Sequence, residues 1–432
     1  MHFKYFVLGA SVLLAQAFPS AAQTMAQPLA AQPAESAQAA LAPSLTLEQA
    51  IARALAANPQ LRATALDVAI AAGGRRQAGL FPNPELSYVQ EGTQSGTRTR
   101  TIQLSQPLEL GGKRAARIRL ADSEQRLATG ALDLARRDLR SDVMIAYFEA
   151  LAAQEAVRLA QASLDVAGKA ADAAAKRVAA GRVSPVEQDR ARVAQASARL
   201  ELAQARAESA IALARLMAWW GETSPASTAP SLALPQPDLS PAPALADLEA
   251  GLATSPQLRR ARLQVEREQA QVGVDRAARI PDVSVILGST RDDTIGRAQT
   301  VFGLSLPLPL FNRNQGALQA SLARADKAQA QLDAERVRTR QALVDAWQRA
   351  ELSREQVRSM ADDVLPSAQR VFDAAVTGFE AGKFGFLDVL DAQRTLLQTR
   401  TQYIQALYER NKAVAELGRY SGAAAPYDRN TQ

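Results

Sequence analysis

Apolar and polar residues follow helical spacing through two long stretches, 113–180 and 313–380, and Pro366 is the only proline in either. At ~1.5 Å per residue each stretch would extend roughly 100 Å as a helix, farther than a compact domain accommodates. Seven-residue spacing recurs inside them: Leu120, Leu127 and Leu134, then Val357, Val364 and Val371, then Leu365, Phe372 and Phe379. These lines are candidate coiled-coil seams. Pro366 predicts a kink or a junction between stacked helices, because proline lacks the N–H and crowds the carbonyl one turn back. Each long stretch ends at a glycine, Gly181 or Gly382, and a shorter helical stretch, 186–219 or 386–419, then returns. The pattern predicts a helical hairpin with a tight turn at its far tip.

Upstream of each long stretch lie two shorter helical segments, 46–57 with 59–79 and 242–254 with 256–278, each pair parted at an X-Pro step. Between these and the long helices the period changes from helical to two. The segments 84–91 with 100–107, and 282–289 with 298–306, read as strand pairs joined by polar loops. Ile102 and Leu104 alternate with Thr101, Gln103 and Ser105, and Val283, Val285 and Leu287 alternate with Asp282 and Ser284. One face is apolar and the other mostly polar, as a barrel wall between lipid and water requires.

The chain is an internal duplication. Asn58-Pro59-Gln60-Leu61-Arg62 returns as Ser255-Pro256-Gln257-Leu258-Arg259, and Pro84-Glu85-Leu86-Ser87 as Pro281-Asp282-Val283-Ser284. Ser105-Gln106-Pro107-Leu108 returns as Ser305-Leu306-Pro307-Leu308, Gly181-Arg182 as Gly382-Lys383, and Gly221 as Gly422. Chance similarity of alanine-rich helices would not keep prolines and glycines in one order. The expected organisation is a signal peptide over 1–22, a flexible lead-in over 23–43, a first repeat over 44–222, a Pro-rich linker over 223–243, a second repeat over 244–422 and a tail over 423–432.

The signal peptide follows from Lys4, the apolar run Phe6 to Ala17, and the small residues Ser20-Ala21-Ala22. The chain has no cysteine, which excludes lipid acylation after the leader, disulfides and thiolate metal sites. Its one histidine is His2, inside the leader, so the mature chain has neither a histidine base nor a histidine metal ligand. No Ser-His-Asp set, phosphate loop or cofactor motif is present, so the expected chain is no enzyme. The net charge is +6, but basic and acidic residues are interspersed along the helices, the pattern of a solvated face rather than of nucleic-acid binding. No segment has the roughly 18 uninterrupted apolar residues of a membrane helix outside the leader.

Four strands alone in lipid would leave unsatisfied edges, so a barrel must be shared between subunits; strand counting permits a dimer, a trimer or more. A periplasmic coiled-coil scaffold without a pore would explain the helices but not the duplicated hairpins.

The duplication, Asn58-Pro59 after a short helix, and the run Gly382-Lys383-Phe384-Gly385-Phe386-Leu387-Asp388-Val389-Leu390-Asp391-Ala392 resemble the TolC-like outer-membrane efflux protein family over nearly the whole mature chain. The resemblance implies a mainly α fold with a small β part: a homotrimer in the outer membrane, whose twelve strands close a β-barrel continued by a periplasmic α-helical barrel. It also implies a periplasmic adaptor at the tunnel's tip and an inner-membrane pump of the RND type. Gln106-Pro107-Leu108-Glu109-Leu110-Gly111-Gly112-Lys113-Arg114 and Leu306-Pro307-Leu308-Pro309-Leu310-Phe311-Asn312-Arg313-Asn314-Gln315-Gly316 are similar to the cobalt-zinc-cadmium branch of that family. That branch implies export of divalent heavy-metal cations. The same channel could instead serve drug or solvent efflux or protein secretion.

Three groups of residues are functional candidates. Asp388 and Asp391, three apart at a helix start, share a face; the resemblance places such aspartates at the periplasmic gate, where a carboxylate ring would favour cations. The alternative is a pair of acids complementing the helix dipole. The first copy has Glu187 and Arg190 there, so the constriction is expected from the second copy. The tips Gly181, Arg182, Val183 and Ser184, and Gly382, Lys383, Phe384 and Gly385, are candidate adaptor contacts; the alternative for Phe384 is a staple across its own hairpin. Lys113, Arg114, Arg117 and Arg119 crowd a helix start, where cations oppose the dipole, and are placed at anionic headgroups on the membrane's inner rim or on a solvated basic face. Trp219 and Trp220 read as packing.

Overall fold

The computed structural model describes residues 44–420, apart from 95, 223–229, 234–238 and 382. The expected leader, lead-in and tail, most of the linker, and the expected tip residue Gly382 lie outside the described residues. Helix α1 (Leu47–Ala57) starts at Thr46, whose hydroxyl accepts from the Gln49 N–H while the Gln49 side chain accepts from the Thr46 N–H. This reciprocal cap satisfies two donors that a helix start leaves open. Asn58 caps α2 (Pro59–Ala78): its Oδ1 accepts from the Leu61 N–H at 2.7 Å and its Nδ2 donates to the Trp219 carbonyl at 2.8 Å. The second copy repeats the device. Ser255 caps α6 (Pro256–Ala277), and Gln257 Nε2 donates to the Arg419 carbonyl at 3.1 Å. In both copies the start of the second helix therefore holds the end of that copy's returning helix.

Strands β1 (Glu85–Glu91) and β2 (Thr99–Leu108) lead into α3 (Lys113–Ala179), which returns as α4 (Pro185–Ala218). The second copy runs α5 (Leu245–Gly251), a 3₁₀ turn, α6, β3 (Val283–Asp292), β4 (Arg297–Ser305), α7 (Gln315–Ser359), α8 (Leu365–Glu380) and α9 (Phe386–Tyr420). Between α7 and α8 the backbone widens into one π turn, Met360–Val364, in which the Leu365 N–H reaches the Met360 carbonyl. Pro366 follows at once. The extra residue in that turn rearranges the carbonyls that a proline ring would otherwise crowd, so the expected junction is a π turn inside one long rod.

Helix α3 binds the copies together. It packs against α2 and α4 of its own copy and against α6 and α9 of the other. Arg419 of α9 forms an ion pair with Asp142 of α3. Midway along α3, the buried Tyr147 hydroxyl lies between the carbonyls of Leu45 (2.8 Å) and Ala233 (2.6 Å). Burial pushes this hydroxyl up to about 12, so it remains protonated as the donor. It fixes the entry of the chain and one part of the linker, which meet in a parallel bridge between Leu45 and Leu232, onto the first copy.

The seams differ from the expected ones. Leu120, Leu127 and Leu134 are only half-buried, and Val364 and Val371 are 42% and 56% exposed. Burial falls instead on lines of smaller residues at the same spacing: Thr339, Ala346 and Ser353; Ala392, Thr399, Ala406 and Ala413. Leu343, Ala350 and Val357 form a third line, which includes one residue of an expected seam. Small side chains on these lines let the helices approach closely, while large ones such as Leu132, Leu139 and Leu216 are buried at other positions.

Candidate functional site

The four strands form one antiparallel sheet in the order β1-β2-β3-β4, with β2 and β3 joining the two copies. The register sorts every side chain to a face. Leu86, Leu104, Leu287 and Phe302 stand in one row across the sheet, and Tyr88, Ile102, Ser289 and Thr300 in the next. Gln106, Val285 and Leu304 continue the same face. It is mostly apolar and open, with Leu86 at 72% and Phe302 at 68% exposure. The opposite face carries Ser87, Thr101, Gln103, Ser105, Ser284, Thr290 and Gln299, and Thr101 and Thr290 hydroxyls meet across it at 3.1 Å. Such a sheet has lipid on one side and water on the other. Among the described residues its outer strands, β1 and β4, each pair on one side only, and an unpaired edge is prohibitive in a bilayer core.

At the strand-to-helix junction Gly111 and Gly112 take left-handed backbone, and a Cβ on Gly111 would sit 2.7 Å from the Ile280 side chain. Glycine is needed there because the two copies cross at that point. The expected basic cluster follows immediately. Lys113 forms an ion pair with Asp282 of the other copy at 2.8 Å, and Arg117 pairs with Glu109. The Glu109 hydrogen bond and charge raise the Arg117 pKa further. Arg114 Nε donates to the Gly79 carbonyl at 2.7 Å while its guanidinium covers the Phe81 ring at 4.4 Å. Three of these four cations are thus engaged within the chain, where they clamp strand to helix; Arg119 is exposed. The sequence shows Glu109 and Asp282 but not that the crossing brings them to these bases.

The far tips share one turn. The Arg182 N–H donates to the Arg177 carbonyl at 2.9 Å and the Gly181 N–H to the Val178 carbonyl, with Gly181 left-handed. The Lys383 N–H donates to the Gly378 carbonyl at 2.8 Å in the same way. These bonds close the free carbonyls of a helix end. The Phe384 ring folds back over Gly378, where a Cβ would stand 2.2 Å from it, yet Phe384 stays 50% exposed. It therefore staples its own hairpin and presents its remaining surface outward. The Arg177 guanidinium lies 4.2 Å from the Phe379 ring and links the two tips.

The returning helices start differently. Ser184 Oγ accepts from the Val186 N–H at 3.4 Å, whereas Asp388 Oδ2 reaches back to the Gly385 N–H at 2.8 Å. Asp388 is thus a helix-capping acid and remains exposed. Asp391 lies one turn on, also exposed, in an open groove that α9 forms with α3 and α4, beside Arg394. Among the described residues no group of three or more His, Cys, Asp or Glu is placed to hold a metal ion, and no helix is long and apolar enough to cross a membrane.

A family model described as outer membrane efflux protein matches residues 50–222 and again 248–423. The chain belongs to the outer membrane efflux protein family. It is 43% identical over 378 residues to the cobalt-zinc-cadmium resistance protein CzcC of Cupriavidus metallidurans, covering 88% of this chain and 90% of that protein. It is 35% identical over 291 residues to the nickel and cobalt resistance protein CnrC of the same organism, covering 66% and 68%. The channel protein CusC has the same fold, with a TM-score of 0.75 over 91% of this chain and 98% of that one at 21% identity. VceC of Vibrio cholerae matches with a TM-score of 0.72 over 88% and 96% at 21% identity. Membership places this efflux protein in the outer membrane, with its strands in the bilayer and its helices extending into the periplasm.

Proposed function

We propose that three copies of this chain close a twelve-stranded barrel continued by a helical tunnel, and that the conduit exports divalent heavy-metal cations such as cobalt, zinc and cadmium. The observation that carries the channel reading is the sheet: four strands in unbroken register, an apolar open face, a polar opposite face and an unpaired edge on each side. Only closure with further copies satisfies both edges. The cargo reading rests on the 43% identity to a cobalt-zinc-cadmium resistance protein over most of both chains. The protein works as a passive conduit. An RND-type pump in the inner membrane supplies the energy, and a periplasmic adaptor grips the tips at Gly181–Ser184 and Lys383–Gly385. The second tip forms the gate, with Asp388 and Asp391 lining its entrance, and Arg119 faces the headgroups of the inner leaflet.

A strain lacking the chain tests the cargo. We expect its growth to become several-fold more sensitive to cobalt, zinc and cadmium salts, with tolerance restored by the chain in trans and sensitivity to lipophilic drugs unchanged. Drug sensitivity without metal sensitivity would contradict the metal reading.

A further inference from the structure

The apolar face of the sheet ends at its hairpin side in a row of different chemistry. One step beyond Tyr88 and Ile102, the register places Gln90, Arg100, Arg291 and Ala298 side by side on the same outward face. Arg100 and Arg291 are direct cross-strand partners, with Cβ atoms about 5 Å apart in such a pair. Like charges directly opposite each other destabilise a strand pair, and a guanidinium cannot shed its proton. The acids of the tip relieve little of this. Asp293 Oδ2 lies 3.7 Å from Arg100 Nη2, with Arg100 still 41% exposed. Glu91 and Asp292 fall in the next row, on the opposite face. The Asp292 carboxylate accepts from the Thr294 N–H at 2.8 Å. Arg98, two residues nearer the tip, donates from Nη2 to the Thr93 carbonyl at 3.5 Å, and its enclosed Nε has no partner among the described residues.

The height of this row sets its surroundings. From Arg100 to Leu108, at the sheet's helix end, is about 26 Å along the strand, close to the ~25 Å apolar band of an outer-membrane barrel. The arginines therefore stand at the outer boundary of that band, facing lipid, on the side away from the periplasmic helices.

We propose that Arg100 and Arg291 form a binding site for the phosphate of a phosphorylated glycolipid in the outer leaflet. One phosphate between the two guanidinium forks accepts paired hydrogen bonds from both and removes their repulsion. Its acyl chains lie along Tyr88, Ile102 and Leu287 below. The site depends on the membrane placement of the sheet and not on the cargo of the channel.

Native mass spectrometry of the detergent-purified protein, titrated with bisphosphorylated lipid A, tests this. The wild type retains lipid A; Arg100→Gln/Arg291→Gln weakens retention at least tenfold, and Arg100→Lys/Arg291→Lys gives an intermediate loss. Glutamine removes the repulsion as well as the charge, so the double variant folds, and its thermal melt without lipid verifies that. Three results would overturn the proposal: equal retention by the wild type and the glutamine variant, equal retention of enzymatically dephosphorylated lipid A, or full competition by millimolar inorganic phosphate, which would make the lipid incidental.

Discussion

Gly288→Val is expected to abolish assembly of the channel. Gly288 lies in β3 opposite Gln103 of β2, at the pairing that joins the two copies. A Cβ there would stand 2.6 Å from the Ile102 carbonyl oxygen and 2.9 Å from the Gln103 side chain. The first of these atoms is backbone and cannot swing away, so β2 and β3 must part. Each N–H or C=O group left open in the bilayer then costs several kcal/mol, and a few such groups exceed the stability of a typical domain. Gly303→Ala in β4 is the control, because its Cβ meets Ile286 at an ordinary 3.6 Å. In outer-membrane extracts run unheated on a gel, wild type and Gly303→Ala should migrate as oligomers and Gly288→Val should not. An oligomeric Gly288→Val band would contradict the seam as described.

The second large effect is on ion selectivity. Asp388→Asn/Asp391→Asn should leave the tip folded, since asparagine keeps an oxygen to accept the Gly385 N–H that Asp388 holds at 2.8 Å. In three copies the double variant removes six negative charges from the proposed entrance. A charged ring of that kind sets the sign of the permeant ion. In planar bilayers we expect the cation-to-anion permeability ratio to fall several-fold, with the larger share from Asp391, which has no capping role. An unchanged ratio and conductance would remove both aspartates from the gate. Their exposure in the single chain agrees with a role that only assembly completes.

Much of the architecture is legible in the sequence because its punctuation is covalent. Proline at a helix start, glycine at a tip and the switch from helical to two-residue spacing depend on local backbone chemistry alone. The expected helix starting at 113 and the hairpins at 84–107 and 282–306 lie within a few residues of those observed. What depends on distant partners was not legible. Lys113 and Arg117 read as unpaired cations at a helix start until the crossing at Gly111 brings Asp282 and Glu109 to them. Residue size alone does not mark the buried lines, because close helix packing buries Ala346, Ala350 and Ala406 as well as Leu343 and Val357. Tyr147, about a hundred residues from Leu45 in the chain, carries no local sign that it fixes the linker. Pro366 marks the junction, but a proline does not specify a π turn. The paired arginines of the sheet's outer rim become visible only once register makes Arg100 and Arg291 neighbours.

The duplicated hairpins imply that one chain cannot make a pore. The most direct measurement is therefore the mass of the detergent-solubilised protein by native mass spectrometry, taken on the same sample that is inserted into a planar bilayer. Three chains of 46.1 kDa each, less any cleaved leader, are expected, with a stable ohmic conductance per assembly. A monomer, or a trimer that conducts no ions under any applied adaptor or voltage, would contradict this.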